Sequence, residues 1–182
     1  HGIDTRRPSR ERKRSGGAMG DAANDSLCGR YRRREAEVIA LTTLATLAVA
    51  MAVEGRRSRR LARELLARGA KDPEGDVYRQ MQVAYPACFL AMALEGGATG
   101  VVPSMAFLVG AAIVVAAKGL KYWAIATLGD RWTFRVLVPP GASPVRGGPY
   151  RWMAHPNYAA VVGELGGMAL MMSAWLTGPM AI

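Results

Sequence analysis

The sequence predicts an all-α fold, an integral membrane helical bundle of about four spans, on three observations. Long uncharged runs of Ala, Leu, Val and Met recur along a chain of 182 residues that is 51% hydrophobic but only 7% aromatic. Charge is segregated from those runs: ten of the 24 Lys and Arg residues fall in residues 1–34, against four acids. No period-two alternation persists anywhere, which removes the strand alternative, and no internal repeat is visible.

Much of the net charge of +10 therefore sits outside any core. Basic clusters flanking apolar runs match the loop bias of membrane proteins better than a phosphate-binding face, which argues against nucleic acid as a partner. Cys28 and Cys88 stand far apart, and the only histidines are His1 and His155. Neither a disulfide framework nor a zinc site follows, and no metal is expected.

Residues 1–34 carry Pro, Gly, Ser and alternating charge with too little apolar surface to offset the entropy of ordering, so they are expected to be a disordered basic tail. The chain opens with His1. Met19 is a candidate natural start, which would leave residues 1–18 as a non-native extension. Residues 35–182 then form the membrane domain.

Val38–Val53 is free of charge and bounded by Arg32, Arg33 and Arg34 before it and Arg56, Arg57, Arg59 and Arg60 after it. It is predicted to be the first span, its ends lengthened by snorkelling arginines. Residues 57–70 place Leu61, Leu65 and Leu66 among arginines, the pattern of a separate amphipathic helix lying in the interface, stopped by Gly69 and Lys71-Asp72-Pro73. Met81–Leu94 contains Pro86 and reads either as a kinked span or as a re-entrant segment.

A short polar turn around Gly96-Gly97 and Thr99-Gly100 leads into Val101–Ala117, and the apolar character resumes through Leu128 after Lys118 and Lys121. The turn implies an antiparallel hairpin. A last span begins just after His155, with Thr177-Gly178-Pro179 expected to turn it. Eight Lys and Arg lie in residues 55–80, none in 95–100 and four in 129–156, so the first and last of these loops should face the cytoplasm.

Residues 129–158 are polar, rich in Gly and Pro, and carry Trp132, Tyr150, Trp152 and Tyr158. Wedged between two apolar helices, they read as a structured loop, where function concentrates. Gly147-Gly148-Pro149-Tyr150 frees the backbone for close approach to a ligand, with Pro149 biasing Gly148 toward extended conformations. His155-Pro156 starts the next helix, and His155 either caps it or contacts a ligand at its positive end. Glu164 is the sole charge in the span that follows: it either binds a cationic ligand group, with Gly163, Gly166 and Gly167 allowing close approach, or snorkels or pairs with a neighbouring arginine.

Gly148-Pro149-Tyr150-Arg151-Trp152 followed by His155-Pro156-Asn157-Tyr158 resembles the GPYR-x(3)-HPxY signature of the isoprenylcysteine carboxyl methyltransferase family. The approach from Tyr122 to Gly129, with Arg131-Trp132 and Val136–Pro140, is similar to bacterial members found beside polyketide synthases, and the likeness covers roughly residues 36–182. The resemblance implies a multi-span enzyme whose cytosolic loop encloses S-adenosylmethionine while a lipophilic substrate enters from the bilayer, placed in the bacterial inner membrane with that loop facing the cytoplasm. By motif correspondence, Gly148, Pro149, Tyr150, His155, Pro156 and Tyr158 would bind the cofactor, and His155, Glu164 and Arg151 are the catalytic candidates.

Two departures stand out. Ala154 replaces the arginine usual before the His-Pro pair, and the family's final helix with its Arg- and Glu-rich motif has no counterpart before Ile182, so the chain is expected to be truncated there. Methyl transfer to a carboxylate or phenolate needs positioning and dehydration more than acid–base help. A neutral hydroxyl would need a base, for which His155 and Glu164 are the nearby candidates. The rival readings are an NADPH-dependent sterol-type membrane reductase, which shares an HPNY-containing region, a phospholipid N-methyltransferase, and a non-catalytic membrane fragment.

Overall fold

The computed structural model describes residues 12–71, 78–135 and 137–181. The start of the basic tail, the Asp72-Pro73 helix stop, Val136 and Ile182 lie outside the described residues. The chain is all-helical: α1 (Arg12–Ala67), α2 (Tyr78–Thr99), α3 (Met105–Leu128), α4 (Pro156–Met172) and α5 (Thr177–Ala181), with short 3-10 turns at Gly129–Arg131 and Gly148–Arg151. Lys71 and Val138 form one isolated antiparallel bridge.

Helices α1 to α4 run up and down antiparallel. The bridge joins the α1–α2 and α3–α4 connections at one end, with Lys71 N–H donating to Val138 O at 3.1 Å. At the other end the Glu95 carboxylate of α2 accepts from the backbone N–H groups of Leu176 and Thr177, both at 3.0 Å, and from Thr177 Oγ1 at 2.6 Å. The arginine-rich connections thus share one face, as the loop charges predict. Both α1 and α3 are long and apolar enough to cross a membrane. With 17 residues, α4 is about 26 Å long, close to the hydrocarbon thickness.

Three expectations are corrected. The first span and the arginine-rich segment are one uninterrupted helix, because a single Gly55 costs only about 1 kcal/mol among strong helix formers. Two of the three leucines of that segment are covered by protein, Leu61 packing with Ile125 and Trp132 and Leu65 with Ala70 and Leu137, while Leu66 is exposed. The same helix extends back to Arg12, through much of the tail predicted to be disordered. Once the apolar span has formed the nucleus, each further turn needs only propagation, helped by the Arg33–Glu37 pair one turn apart.

Pro86 sits within a continuous α2, which settles the choice against a re-entrant segment. The last span ends at Ser173, in the left-handed conformation at φ 50°, so the turn comes before Thr177-Gly178-Pro179, which instead begin α5. In the first span the hydroxyls of Thr42 and Thr46 bond back to the carbonyls of Val38 and Thr42, each at 2.8 Å, so they add no unsatisfied group to an apolar run.

The core is methionine-rich: Phe89 and Met92 of α2 pack against Met168 and Met172 of α4 and Ala36, Ala40 and Leu47 of α1. Helices α3 and α4 meet backbone to backbone. A Cβ on Gly110 would lie 2.6 Å from Gly167 O, and one on Gly167 would lie 2.8 Å from Gly110 O and from Val114 Cγ2. Gly167→Ala is therefore expected to destabilise the protein by about 1–3 kcal/mol through overpacking, read as a lowered thermal midpoint in detergent. An unchanged midpoint would show that the two helices can part without loss.

Candidate functional site

Four helices bring charged or hydroxyl side chains to one buried point. Glu54 comes from the end of the first apolar run, Tyr85 from α2, Lys118 and Lys121 from α3, and Glu164 from α4. Glu54, Lys121 and Glu164 are buried to within a few per cent of completely. Lys118 Nζ lies 2.9 Å from Glu54 Oε1 and 3.3 Å from Glu164 Oε2. Lys121 Nζ lies 2.7 Å from Glu164 Oε1 and 3.5 Å from Glu54 Oε2. The 2.7 Å contact is a close ion pair rather than an aligned hydrogen bond, since Glu164 Oε1 has no partner of hydrogen-bond geometry.

The Tyr85 hydroxyl donates to Glu164 Oε2 and lies 3.4 Å from Lys121 Nζ. Lys121 also sits 5.4 Å from the centre of the Tyr85 ring. Two ammonium groups and two carboxylates balance, so the cluster carries no net charge into the low-dielectric interior. That balance makes burial tolerable where an isolated charge would be expelled or neutralised.

One edge of the cluster faces a cavity of about 400 Å³. Glu54, Tyr85 and Lys121 line its polar end together with Asn157 and Tyr158, and Arg59 and Gln82 stand exposed on its lining. Leu44, Leu47, Met51, Phe89 and Val161 line the rest. The chamber therefore joins a polar wall to an apolar one, and α1 and α2, which build the apolar wall, carry Leu41, Val49, Val83 and Leu90 exposed on their outer faces.

The 129–158 segment closes the same end of the bundle. Trp132 is buried against Leu61 and Ile125, Phe134 N–H donates to Ser58 Oγ at 2.8 Å, and Arg131 Nη1 donates to Ser143 O at 3.0 Å. Gly148 opens a 3-10 turn at φ +51°, not in the extended conformation that a following proline favours. The cause is close packing on α3, where a Cβ would fall on Thr127 Oγ1 and lie 3.1 Å from its Cγ2. Pro149 is buried, and partial burial of Tyr150 pushes its hydroxyl pKa up, keeping it a donor at neutral pH. Trp152 meets Trp123 edge-on at 5.5 Å.

His155 heads α4 without a side-chain capping bond, so the capping alternative does not hold. Its ring is exposed and meets Tyr158 edge-on at 5.5 Å. Pro156 occupies the first helical turn and is buried. Asn157 Oδ1 is buried without a hydrogen-bond partner. Arg151 is exposed and does not line the cavity.

The structure thus brings Tyr158 and, behind Tyr85 and Lys121, Glu164 to the cavity. It leaves Gly148, Pro149 and Tyr150 on the α3 end beside it. Glu164 itself is fully buried and does not line the cavity. The cations it meets are the lysines of α3, not the neighbouring arginine that is the alternative to a ligand. Sequence reasoning missed Glu54, Lys118 and Lys121 as site residues. The available signal was the spacing of Lys118 and Lys121, one turn apart on one face, opposite two lone acids at matching depth in antiparallel helices.

The family model described as isoprenylcysteine carboxyl methyltransferase (ICMT) family matches residues 109–182, which hold most of α3, the signature loop, α4 and α5. Among curated proteins the chain is similar to the uncharacterized protein YpbQ of Bacillus subtilis (strain 168), at 32% identity over 134 residues, covering 74% of this chain and 80% of YpbQ. No solved structure matches the chain.

Proposed function

Since the chain belongs to the isoprenylcysteine carboxyl methyltransferase family, we propose that it is an S-adenosylmethionine-dependent methyltransferase acting within the membrane on a lipophilic acceptor, an isoprenylcysteine carboxylate or a small alkyl phenol or pyrone. The observation that carries the acceptor side is the two-ended cavity: Asn157 and Tyr158 of the signature at its polar end, and Leu44, Leu47, Met51 and Phe89 along its apolar wall. A chamber of this size and polarity suits an amphiphile with a small head and an alkyl chain.

The residues present fit the cofactor. Asn157 Oδ1 is a buried acceptor in want of a donor, suited to an amino or ammonium group. The exposed His155–Tyr158 ring pair offers a stacking and hydrogen-bonding surface next to it, and Gly148 lets the backbone turn where no side chain would fit. When bound, S-adenosylmethionine supplies an electrophilic methyl group. The chain contributes positioning and dryness: the apolar wall keeps water from the acceptor head, and the ion-paired cluster holds Lys121 and Tyr85 in fixed orientation behind it.

The arginine-rich connections on the signature face support placing that face in the cytoplasm, of a bacterial inner membrane on this reading. Calorimetric titration of the detergent-solubilised protein tests the cofactor assignment. S-adenosylmethionine is expected to bind, and His155→Ala to weaken it about tenfold, the scale of one lost hydrogen bond to a charged group. Binding of NADPH in its place would replace this reading with the reductase.

A further inference from the structure

We infer that a second pocket, of about 530 Å³, binds the phosphate of an anionic phospholipid from the cytoplasmic leaflet, a site that stands whether or not the chain transfers methyl groups. Three elements converge on it: Arg59, Arg63 and Leu66 from α1, Gln82 from the first turns of α2, and Arg135 from the 129–158 segment. Among the described residues its lining holds three arginines and no acid. Elsewhere on α1 an arginine meets an acid one turn on, as in Arg33–Glu37 and Arg60–Glu64. Arg59 has Arg63 at that position, a like-charge pair that weakens the helix. Neither makes an ion pair among the described residues. Arg63 commits Nε to Arg59 O at 3.4 Å, one of the five donors of a guanidinium. A phosphate between the two gives each a forked, charge-assisted partner and offsets their repulsion.

Depth and the face below identify the source of that phosphate. Glu54 and Glu164 share Lys118 and Lys121, so they lie at one level. Helix α4 begins at Pro156, eight residues before Glu164, about 12 Å along its axis. Arg59 and Arg63 come five and nine residues after Glu54, about 8 and 14 Å toward the same end. They bracket the level at which α4 begins, which is headgroup level for a helix that just spans the hydrocarbon. Val49, Val53, Arg56, Arg60 and Arg63 recur at steps of four and three along one face of α1, and both valines are exposed. An acyl chain on that face delivers its phosphate to the arginines, whereas a free phosphate makes no use of the valines. Arg59 and Gln82 line both chambers, so the bound lipid stands at the rim of the acceptor cavity.

Native mass spectrometry of the full chain in detergent, titrated with dioleoylphosphatidylglycerol or dioleoylphosphatidylcholine, tests the site. One phosphatidylglycerol is expected to bind at least about tenfold more tightly than phosphatidylcholine, the scale of two basic residues acting on an anionic headgroup. The double variant Arg59→Gln, Arg63→Gln should abolish that preference. The double variant Arg57→Gln, Arg68→Gln removes the same charge outside the pocket lining and should keep it.

Equal binding of the two lipids by the wild-type protein overturns the inference. Equal losses in the two double variants also overturn it, since general surface charge would then suffice. Glycerol 3-phosphate supplies the headgroup phosphate without chains: if it binds as tightly as phosphatidylglycerol, the pocket serves a soluble phosphate and the lipid assignment falls. All four arginines are exposed, so neither pair of substitutions opens the core, and the wild-type comparison decides the matter without them.

Discussion

Lys121→Met is expected to destabilise the protein by about 3–5 kcal/mol, the usual consequence of removing one partner from a buried ion pair. The substitution leaves Glu54 and Glu164 with Lys118 alone, a net buried charge of −1. Methionine fills much of the lysine volume, so the loss measures charge rather than a cavity. Lys118→Met should be milder: Lys118 is 14% exposed against 2% for Lys121, and water can reach the carboxylate it leaves. Thermal unfolding in detergent, followed by helical circular dichroism, reads both. The double variant Lys121→Met, Glu164→Gln restores neutrality and should recover most of the loss. A Lys121→Met protein as stable as the wild type would show that the cluster is not held by charge.

The helices were legible in the sequence and their mutual rotation was not. Each span announces itself locally, by a long apolar run with at most one charge, because the bilayer requires every backbone group to bond within its own segment. Which faces meet is a long-range property. Glu54 at the end of one run and Lys118 and Lys121 within another read as edges of apolar segments until the antiparallel packing sets them at the same depth as Glu164. The carboxylate of Glu164 was singled out because its isolation is visible locally; its partners, 43 and 46 residues upstream by number, were not.

The arginine-rich end of α1 misled for a related reason. Leucines among arginines have the pattern of a helix lying on lipid, and the same pattern serves a helix whose apolar stripe is covered by protein. The covering surface is the loop itself, through Trp132 and Leu137, and its docking on α1 uses the backbone of Phe134 and the hydroxyl of Ser58. Periodicity alone cannot distinguish a lipid surface from a loop that folds back 70 residues later. The motif residues were legible as chemistry, but Gly148 was misjudged in conformation, since the local preference set by Pro149 yields to contact with Thr127.

That contact makes Gly148→Ala the second large expected effect, a loss of S-adenosylmethionine binding of about a hundredfold or more. Two penalties act together. An alanine at φ +51° stores about 1–3 kcal/mol of backbone strain, and its Cβ would fall on Thr127 Oγ1, an overlap worth a similar amount. Either displaces the 3-10 turn that carries Pro149 and Tyr150. Thr127→Ala separates them. Alone it removes a side-chain bond to Trp123 O and should change binding little. Combined with Gly148→Ala it removes the overlap and leaves the strain, so binding should return part of the way. Full return would assign the defect to overlap alone, and no return to backbone strain alone; binding unchanged in Gly148→Ala itself would remove this turn from the cofactor site.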